Sequence, residues 1–340
     1  MGEKQIFIKN RLKNIPPVRL IVVSFAVIIL AGALLLTLPI SSKSGNPTSF
    51  IDSLFTATSA TCVTGLIVFD TWTHWTILGQ IIIITLIQVG GLGVITFTTG
   101  FSLLIHRKLG LHDLQLAAEN TGGETMDITH LVKTVLYFTF LCESLGALLM
   151  MLRFVPQFGL EGIWISVFTA ISAYCNAGFD ILGFVMKNGN LIPYAGDPLI
   201  CLTVGALIVT GGIGFVVVRD IYLSKVIPRY HKNKTSHLNF HSHIVLGTTL
   251  VLIVLGTVLF FICEYDNTLS GMNFGTKLNA SLFQSISART AGFASVDIAK
   301  EHDFTKIITI ILMFIGASPA GTGGGIKTTT FVVLMATVLS

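Results

Sequence analysis

The feature that most constrains this chain is a succession of apolar runs whose lengths approach or exceed the roughly 20 residues needed to cross a hydrocarbon core. Residues 20–38, 131–152 and 244–263 form three such runs, and residues 69–105, 198–218 and 307–339 supply a second crossing after each. Only 11% of the residues are charged, against about 25% in an average soluble domain, so water is not the main solvent. In lipid a lone apolar segment satisfies its backbone polar groups by forming a helix. The expectation is an all-α, multi-pass integral membrane protein. Residues 1–19 are basic and polar. The run after them is longer than a signal-peptide core, and its Ala31-Gly32-Ala33 is followed by more leucines, so it reads as a retained first span.

The charges set an orientation. Lys4, Lys9, Arg11, Lys13 and Arg19 precede the first span, Arg107 and Lys108 follow the second, and Arg219, Lys225, Arg229, Lys232 and Lys234 follow the fourth. By the positive-inside rule these connections, and with them the N-terminus, face the cytoplasm of a cell membrane. The connections around residues 41–50, 153–162 and 264–277 are sparser in Lys and Arg and face outward. The five cysteines are scattered through apolar surroundings without paired spacing, which gives neither a disulfide framework nor a zinc site.

Between the two spans of each pair the chain repeats itself. Ser53-Leu54-Phe55-Thr56-Ala57-Thr58-Ser59-Ala60-Thr61-Cys62-Val63-Thr64-Gly65-Leu66 aligns without a gap on Ser166-Val167-Phe168-Thr169-Ala170-Ile171-Ser172-Ala173-Tyr174-Cys175-Asn176-Ala177-Gly178-Phe179. A third copy, Ser281 to Phe293, is one residue shorter. The following spans share Val89-Gly90-Gly91-Leu92-Gly93, Thr210-Gly211-Gly212-Ile213-Gly214 and Thr322-Gly323-Gly324-Gly325-Ile326. Each copy lies between two spans and starts from the same side, so the repeats are parallel and related by an axis along the membrane normal. The units run 20–105, 130–222 and 242–340, with an N-terminal segment 1–19 and cytoplasmic connections 106–129 and 223–241.

A repeated segment too short to span must enter the bilayer and return, and unwound backbone at that depth is tolerated only inside protein or along a wet path. Carbonyls converging from symmetry-related loops can replace the hydration shell of a monovalent cation. Gly65, Gly178 and Gly292 can adopt positive φ and turn carbonyls inward, while the short helices before them aim their negative ends at the same point. The candidate cation filter is Thr61, Cys62, Val63, Thr64, Gly65, Cys175, Asn176, Ala177, Gly178, Thr290, Ala291 and Gly292. For Thr61, Thr64, Asn176 and Thr290 a side chain bonded to its own backbone stands equally well. Cys62 and Cys175 read as packing residues. In an isolated loop such glycines would favour close helix packing; their threefold recurrence reverses that preference and favours the pore.

At these residues the sequence resembles the Trk/Ktr/HKT superfamily of potassium transporters, most closely the membrane subunit of bacterial Ktr systems. The motifs that carry the resemblance are Thr61-Cys62-Val63-Thr64-Gly65-Leu66, Tyr174-Cys175-Asn176-Ala177-Gly178-Phe179-Asp180, Ala288-Arg289-Thr290-Ala291-Gly292-Phe293 and the stretch from Gly316 to Lys327. The resemblance implies potassium uptake through a four-unit pore with one signature glycine per loop. It also implies a homodimer in membrane lipid, set on a cytoplasmic ring of nucleotide-binding subunits. Any nucleotide would then act through that partner at the basic connections 107–127 and 219–243, and neither enzymatic activity nor a nucleic-acid partner is expected. Because the chain carries three units, the natural protein is expected to continue by roughly one more.

In the last apolar run Gly316, Ala317, Ser318, Gly321, Gly323, Gly324 and Gly325 cluster around Pro319 and Thr322, so helix should fail at mid-membrane. The resemblance implies an intramembrane gating loop there. The stretch departs from a phosphate-binding loop, because Ile326 stands where glycine should precede Lys327. Lys327 reads as a snorkelling anchor or as part of the gate. Arg289 beside a filter loop reads as a structural partner of loop carbonyls or of Asp297, and Glu143 in the third span is unassigned. The rival reading is a secondary transporter with a closed midplane cation site, which inverted repeats would favour.

Overall fold

The computed structural model describes residues 17–93, 128–222, 224 and 238–339. Among these, regular structure is helical, and the extended pairing is confined to the isolated bridges Ser42–Trp75 and Ile315–Ile326. Among the described residues the helices of seven residues or more are α1 (Pro17–Thr37), α2 (Phe50–Thr61), α3 (Ile77–Gly91), α4 (Ile128–Phe158), α5 (Glu161–Tyr174), α6 (Pro198–Gly212), α7 (Phe215–Ile221), α8 (Phe240–Glu264), α9 (Phe274–Ser287), α10 (Asp303–Phe314) and α11 (Thr328–Leu339). α8 and the Val132–Phe158 part of α4 are long and apolar enough to cross a membrane. Residues 106–127, most of the connection 223–241, and Lys4, Lys9, Arg11 and Lys13 lie outside the described residues.

The three copies of the repeated block fold alike, as short helices α2, α5 and α9 of 12, 14 and 14 residues, each too short to span. Each packs on the long helix before it, α1, α4 or α8. α3 and α6 then pack on the short helix of their own unit and on that of the next unit, which links the units in sequence order. Local chemistry sets the starts. Asp197 accepts from the Leu199 N–H at 3.0 Å ahead of Pro198, and Asn273 accepts from the Thr276 N–H at 2.8 Å. Such caps satisfy N–H groups that a first helical turn leaves unpaired.

The shared glycines in α3 and α6 have a packing role. A β-carbon on Gly90 would strike the carbonyl of Thr61, and one on Gly211 would strike that of Tyr174, the equivalent residue at the end of the next short helix. Only glycine lets the second helix of a unit lie against the end of the short one.

Two expected spans are not straight helices. The apolar run 198–218 does not cross as one rod, because α6 and α7 meet at 96°. The bend falls at Ile213 and Gly214, where Gly214 takes φ 92 as the residue that caps the start of α7. The run 307–339 is likewise divided, with α10 ending at Phe314 and α11 beginning at Thr328. In the first unit α3 ends at Gly91 and Gly93 has φ 79, at the position matching Gly214; residues 94–105 lie outside the described residues.

Candidate functional site

The three short helices end in the same turn. Val63, Asn176 and Thr290, each two residues before its glycine, have φ of 55, 58 and 67, and Gly65, Gly178 and Gly292 have 82, 72 and 81. The residue between them, Thr64, Ala177 or Ala291, stays at negative φ. Alternating the sign of φ turns successive peptide planes so that their carbonyls face one side. Val63 and Thr290 are β-branched, for which positive φ is a true outlier costing about 1–3 kcal/mol. The turn is held by repeated bonds: the N–H groups of Thr64 and Ala177 reach the carbonyls of Ser59 and Ser172 at 2.8 Å, and that of Ala291 reaches Ser287 at 3.0 Å. Ser172 Oγ donates to the Phe179 carbonyl at 2.7 Å, and Ser287 Oγ makes the equivalent bond to Phe293.

The three turns meet. A β-carbon on Gly65 would lie 2.6 Å from the Ala177 carbonyl oxygen, and one on Gly178 would lie 2.7 Å from that of Ala291 and 2.8 Å from the Gly292 Cα. The glycines therefore stand shoulder to shoulder in the order 65, 178, 292. A cavity of about 290 Å³ opens against all three and is also lined by Asp180, Asn188 and Asn190.

Of the hydroxyls and amides singled out in the sequence, Thr61 and Thr64 bond their own backbone, at Ala57 O (2.8 Å) and Ser59 O (3.4 Å). Asn176 and Thr290 instead reach the loop between α10 and α11. Asn176 Nδ2 donates to Thr322 Oγ1 at 2.8 Å, Thr322 Oγ1 donates to the Tyr174 carbonyl at 2.9 Å, and Thr290 Oγ1 accepts from the Gly324 N–H at 3.1 Å. Cys62 is exposed and Cys175 buried, and both cap their short helices through backbone N–H groups.

That loop carries the glycine cluster. Its ends pair, with Gly316 N–H to Ile326 O at 3.1 Å and Ala317 N–H to Gly324 O at 3.0 Å. Its middle closes on the break after α6: Ser318 and Thr322 N–H groups reach the Gly212 and Gly211 carbonyls at 2.9 and 3.1 Å, and Phe215 N–H reaches Ala320 O at 3.0 Å. The orphan carbonyls of α6 and the first free N–H of α7 are thus satisfied by the loop. Gly321 packs against the Gly212 carbonyl, Gly323 lies against Ala317 and Thr290, and Gly325 has φ 74.

Both basic residues beside this loop bind it. Arg289 Nη2 donates to the Gly316 carbonyl at 3.1 Å. Asp297, its other expected partner, instead caps the Ala299 N–H at 3.2 Å and pairs with Lys300 at 3.1 Å. Lys327 Nζ donates to the Gly323 carbonyl at 2.8 Å. Glu143, buried in α4, accepts from Gln88 Nε2 of α3 at 2.9 Å and so joins the first two units.

The sequence reading passed over Asn190 and Asp70. Asn190 Nδ2 donates to the Gly178 carbonyl at 3.3 Å and to Asp180 at 3.1 Å, while Asn190 Oδ1 accepts from the Ala294 N–H at 3.3 Å. Asp70 accepts from the Asn188 N–H at 3.3 Å. Both lie in the connections that follow the first and second turns, whose polar residues carry no periodic signal.

A helical, apolar, multi-pass chain whose unwound turns bring backbone carbonyls to one point has the architecture of a membrane cation transporter. A family model described as "TrkH: Cation transport protein" matches residues 14–340, and the chain belongs to that family, which comprises transporters rather than enzymes. It is 41% identical to Ktr system potassium uptake protein B of Bacillus subtilis, over 95% of this chain and 70% of that protein. It is 39% identical to the potassium/sodium uptake protein NtpJ of Enterococcus hirae, over 95% and 69%. The fold matches the crystal structure of the potassium transporter TrkH from Vibrio parahaemolyticus with a TM-score of 0.67 at 20% identity, covering 92% of this chain and 58% of that one.

Proposed function

We propose that this chain mediates potassium uptake through a pore whose filter is formed by the turns ending at Gly65, Gly178 and Gly292. The observation that carries the reading is the threefold alternation of φ at positions that meet beside one cavity. Inward carbonyls stand in for water around a dehydrated cation, and the short helices direct their negative ends to the same place. Potassium is the ion because relatives about 40% identical are named for its uptake.

Residues 316–325, with Lys327, form the gate. They lie beneath the filter turns and are fastened by separate hydrogen bonds to Asn176, Tyr174, Thr290 and Arg289 and by three at the α6 break, so they can leave without unfolding a helix. The units 20–105, 130–222 and 242–340 are parallel quarters of the pore, entered from outside, with the N-terminus in the cytoplasm. The protein works as a homodimer in the lipid bilayer. A cytoplasmic nucleotide-binding ring regulates it through the basic connections, in keeping with relatives named as parts of a Ktr system.

One glycine per turn gives few carbonyl layers, so potassium is preferred over sodium without excluding it. The test is radiotracer uptake into liposomes containing the protein. A potassium gradient alone should drive flux, and excess sodium should compete weakly. Flux that required a sodium or proton gradient would instead indicate a coupled transporter with a closed site, and complete indifference to sodium would contradict the modest preference.

A further inference from the structure

We infer that Asn190 is a positioning and specificity-determining residue of the filter, holding the Gly178 carbonyl in place from outside. This rests on the pore reading and goes beyond it, because Asn190 belongs to none of the three repeated blocks. Its amide bridges two filter quarters. Nδ2 donates to the Gly178 carbonyl and to Asp180, both in the second turn, while Oδ1 accepts from Ala294 in the limb leaving the third turn. The adjoining Leu191 N–H returns to the Ala294 carbonyl at 3.1 Å, so the strap is fastened twice. Asn190 itself has φ 49, a conformation that Asn tolerates better than most side chains.

The chemistry follows from where the donor lands. A carbonyl oxygen has two lone pairs. One of Gly178's is held laterally by a neutral amide, which leaves the other for the ion and fixes the direction of the dipole. The number and field strength of coordinating carbonyl dipoles is one of the two proposed sources of the distinction between potassium and sodium. A donor on a filter carbonyl acts directly on that quantity. The same amide neutralises no charge, so Asp180 keeps its attraction for cations in the cavity that Asn190 also lines.

Asn190→Asp separates the roles of the side chain. The acceptor for Ala294 and the tolerated backbone conformation remain, but the donor to Gly178 is lost. The introduced carboxylate faces Asp180, with Asp70 behind it, and two neighbouring carboxylates raise the pH at which one of them binds a proton. The first proton is shared with Asp180; once acid has protonated both carboxyls, Asp180 no longer competes for it and the single O–H of the introduced group is again free to donate to the Gly178 carbonyl. In reconstituted liposomes, Asn190→Asp should raise the sodium-to-potassium permeability ratio several-fold at external pH 8 and return it toward the wild-type value at pH 5. Asn190→Gly, which accepts the positive φ but carries no side chain, should show the raised ratio at both pH values. A ratio unchanged in both variants, or potassium and sodium fluxes falling by one common factor without recovery in acid, would overturn the inference. Wild-type protein that carries no potassium down its gradient would instead overturn the pore reading, so the two failures are distinguishable.

Discussion

At the scale of single residues, the connection between α9 and α10 contains a carboxyl in an unusual state. Glu301 is buried. Its Oε1 accepts from Gln284 Nε2 at 3.4 Å, and its Oε2 has no hydrogen-bond partner among the described residues. Nearby Glu264 is saturated, accepting from Thr305 Oγ1 at 2.6 Å, Asn267 Nδ2 at 2.7 Å, Thr268 Oγ1 at 2.8 Å and the His302 N–H at 2.8 Å. Burial, and then the charge of Glu264, push the Glu301 carboxyl up to about 7, with Lys306 opposing. A carboxyl whose affinity for protons is higher in the folded state adds stability that is full below its unfolded value, near 4.5, and is lost as pH rises through about 7. Thermal unfolding in detergent should therefore show the midpoint falling between pH 5 and pH 8, and Glu301→Gln should remove this part of the slope. An identical slope in the variant would show that Glu301 is not the group responsible.

At the scale of elements, the loop between α10 and α11 is held by contacts that can be removed one at a time. Thr322 Oγ1 accepts from Asn176 and donates to the Tyr174 carbonyl. Thr322→Val keeps the shape and leaves both partners unpaired, and a buried polar group without a partner costs about 1–3 kcal/mol. If this loop is the gate, that cost falls on the closed state alone, so tracer flux should rise roughly tenfold, the equivalent of ~1.4 kcal/mol. Flux equal to or below that of wild type would remove the loop from the gating role. The helices and the loop break were legible in the sequence because apolar length and clustered glycine act locally. The bend between α6 and α7 was not. Phe215 and the valines that follow it prolong the apolar run, and the carbonyl that receives the Phe215 N–H belongs to Ala320, in a distant part of the chain. The glycines of the turns were legible as a recurrence. The positive φ of Val63 and Thr290 was not, because β-branched residues ordinarily avoid it and only the surrounding contacts impose it. Arg289's choice of Gly316 over Asp297 depends in the same way on long-range packing.

At the scale of the whole molecule, the pore reading fixes which face each connection occupies, and this can be tested independently of transport. Besides the helix packing, polar links that end on the buried carboxyls Glu143 and Asp220 join the units: Gln88 reaches Glu143 between the first and second, and Asp220 of α7 accepts from Asn239 N–H and Nδ2 at 2.9 Å and from Ser242 Oγ at 2.5 Å, joining the second to the third. Such links keep the units in one relative orientation, so parallel units place every filter turn on the same side. Lys187, exposed in the connection after the second turn, should then lie outside, and Lys108 and Lys232 should lie inside with the N-terminus. In a cysteine-free background, Lys187→Cys should react with a membrane-impermeant maleimide applied to intact cells, whereas Lys108→Cys and Lys232→Cys should react only after permeabilisation. Inverted units would put Lys108 and Lys232 on opposite faces, because an odd number of crossings would separate them. Labelling of one but not the other in intact cells would therefore exclude a common axis for the three turns, whatever flux the protein carried.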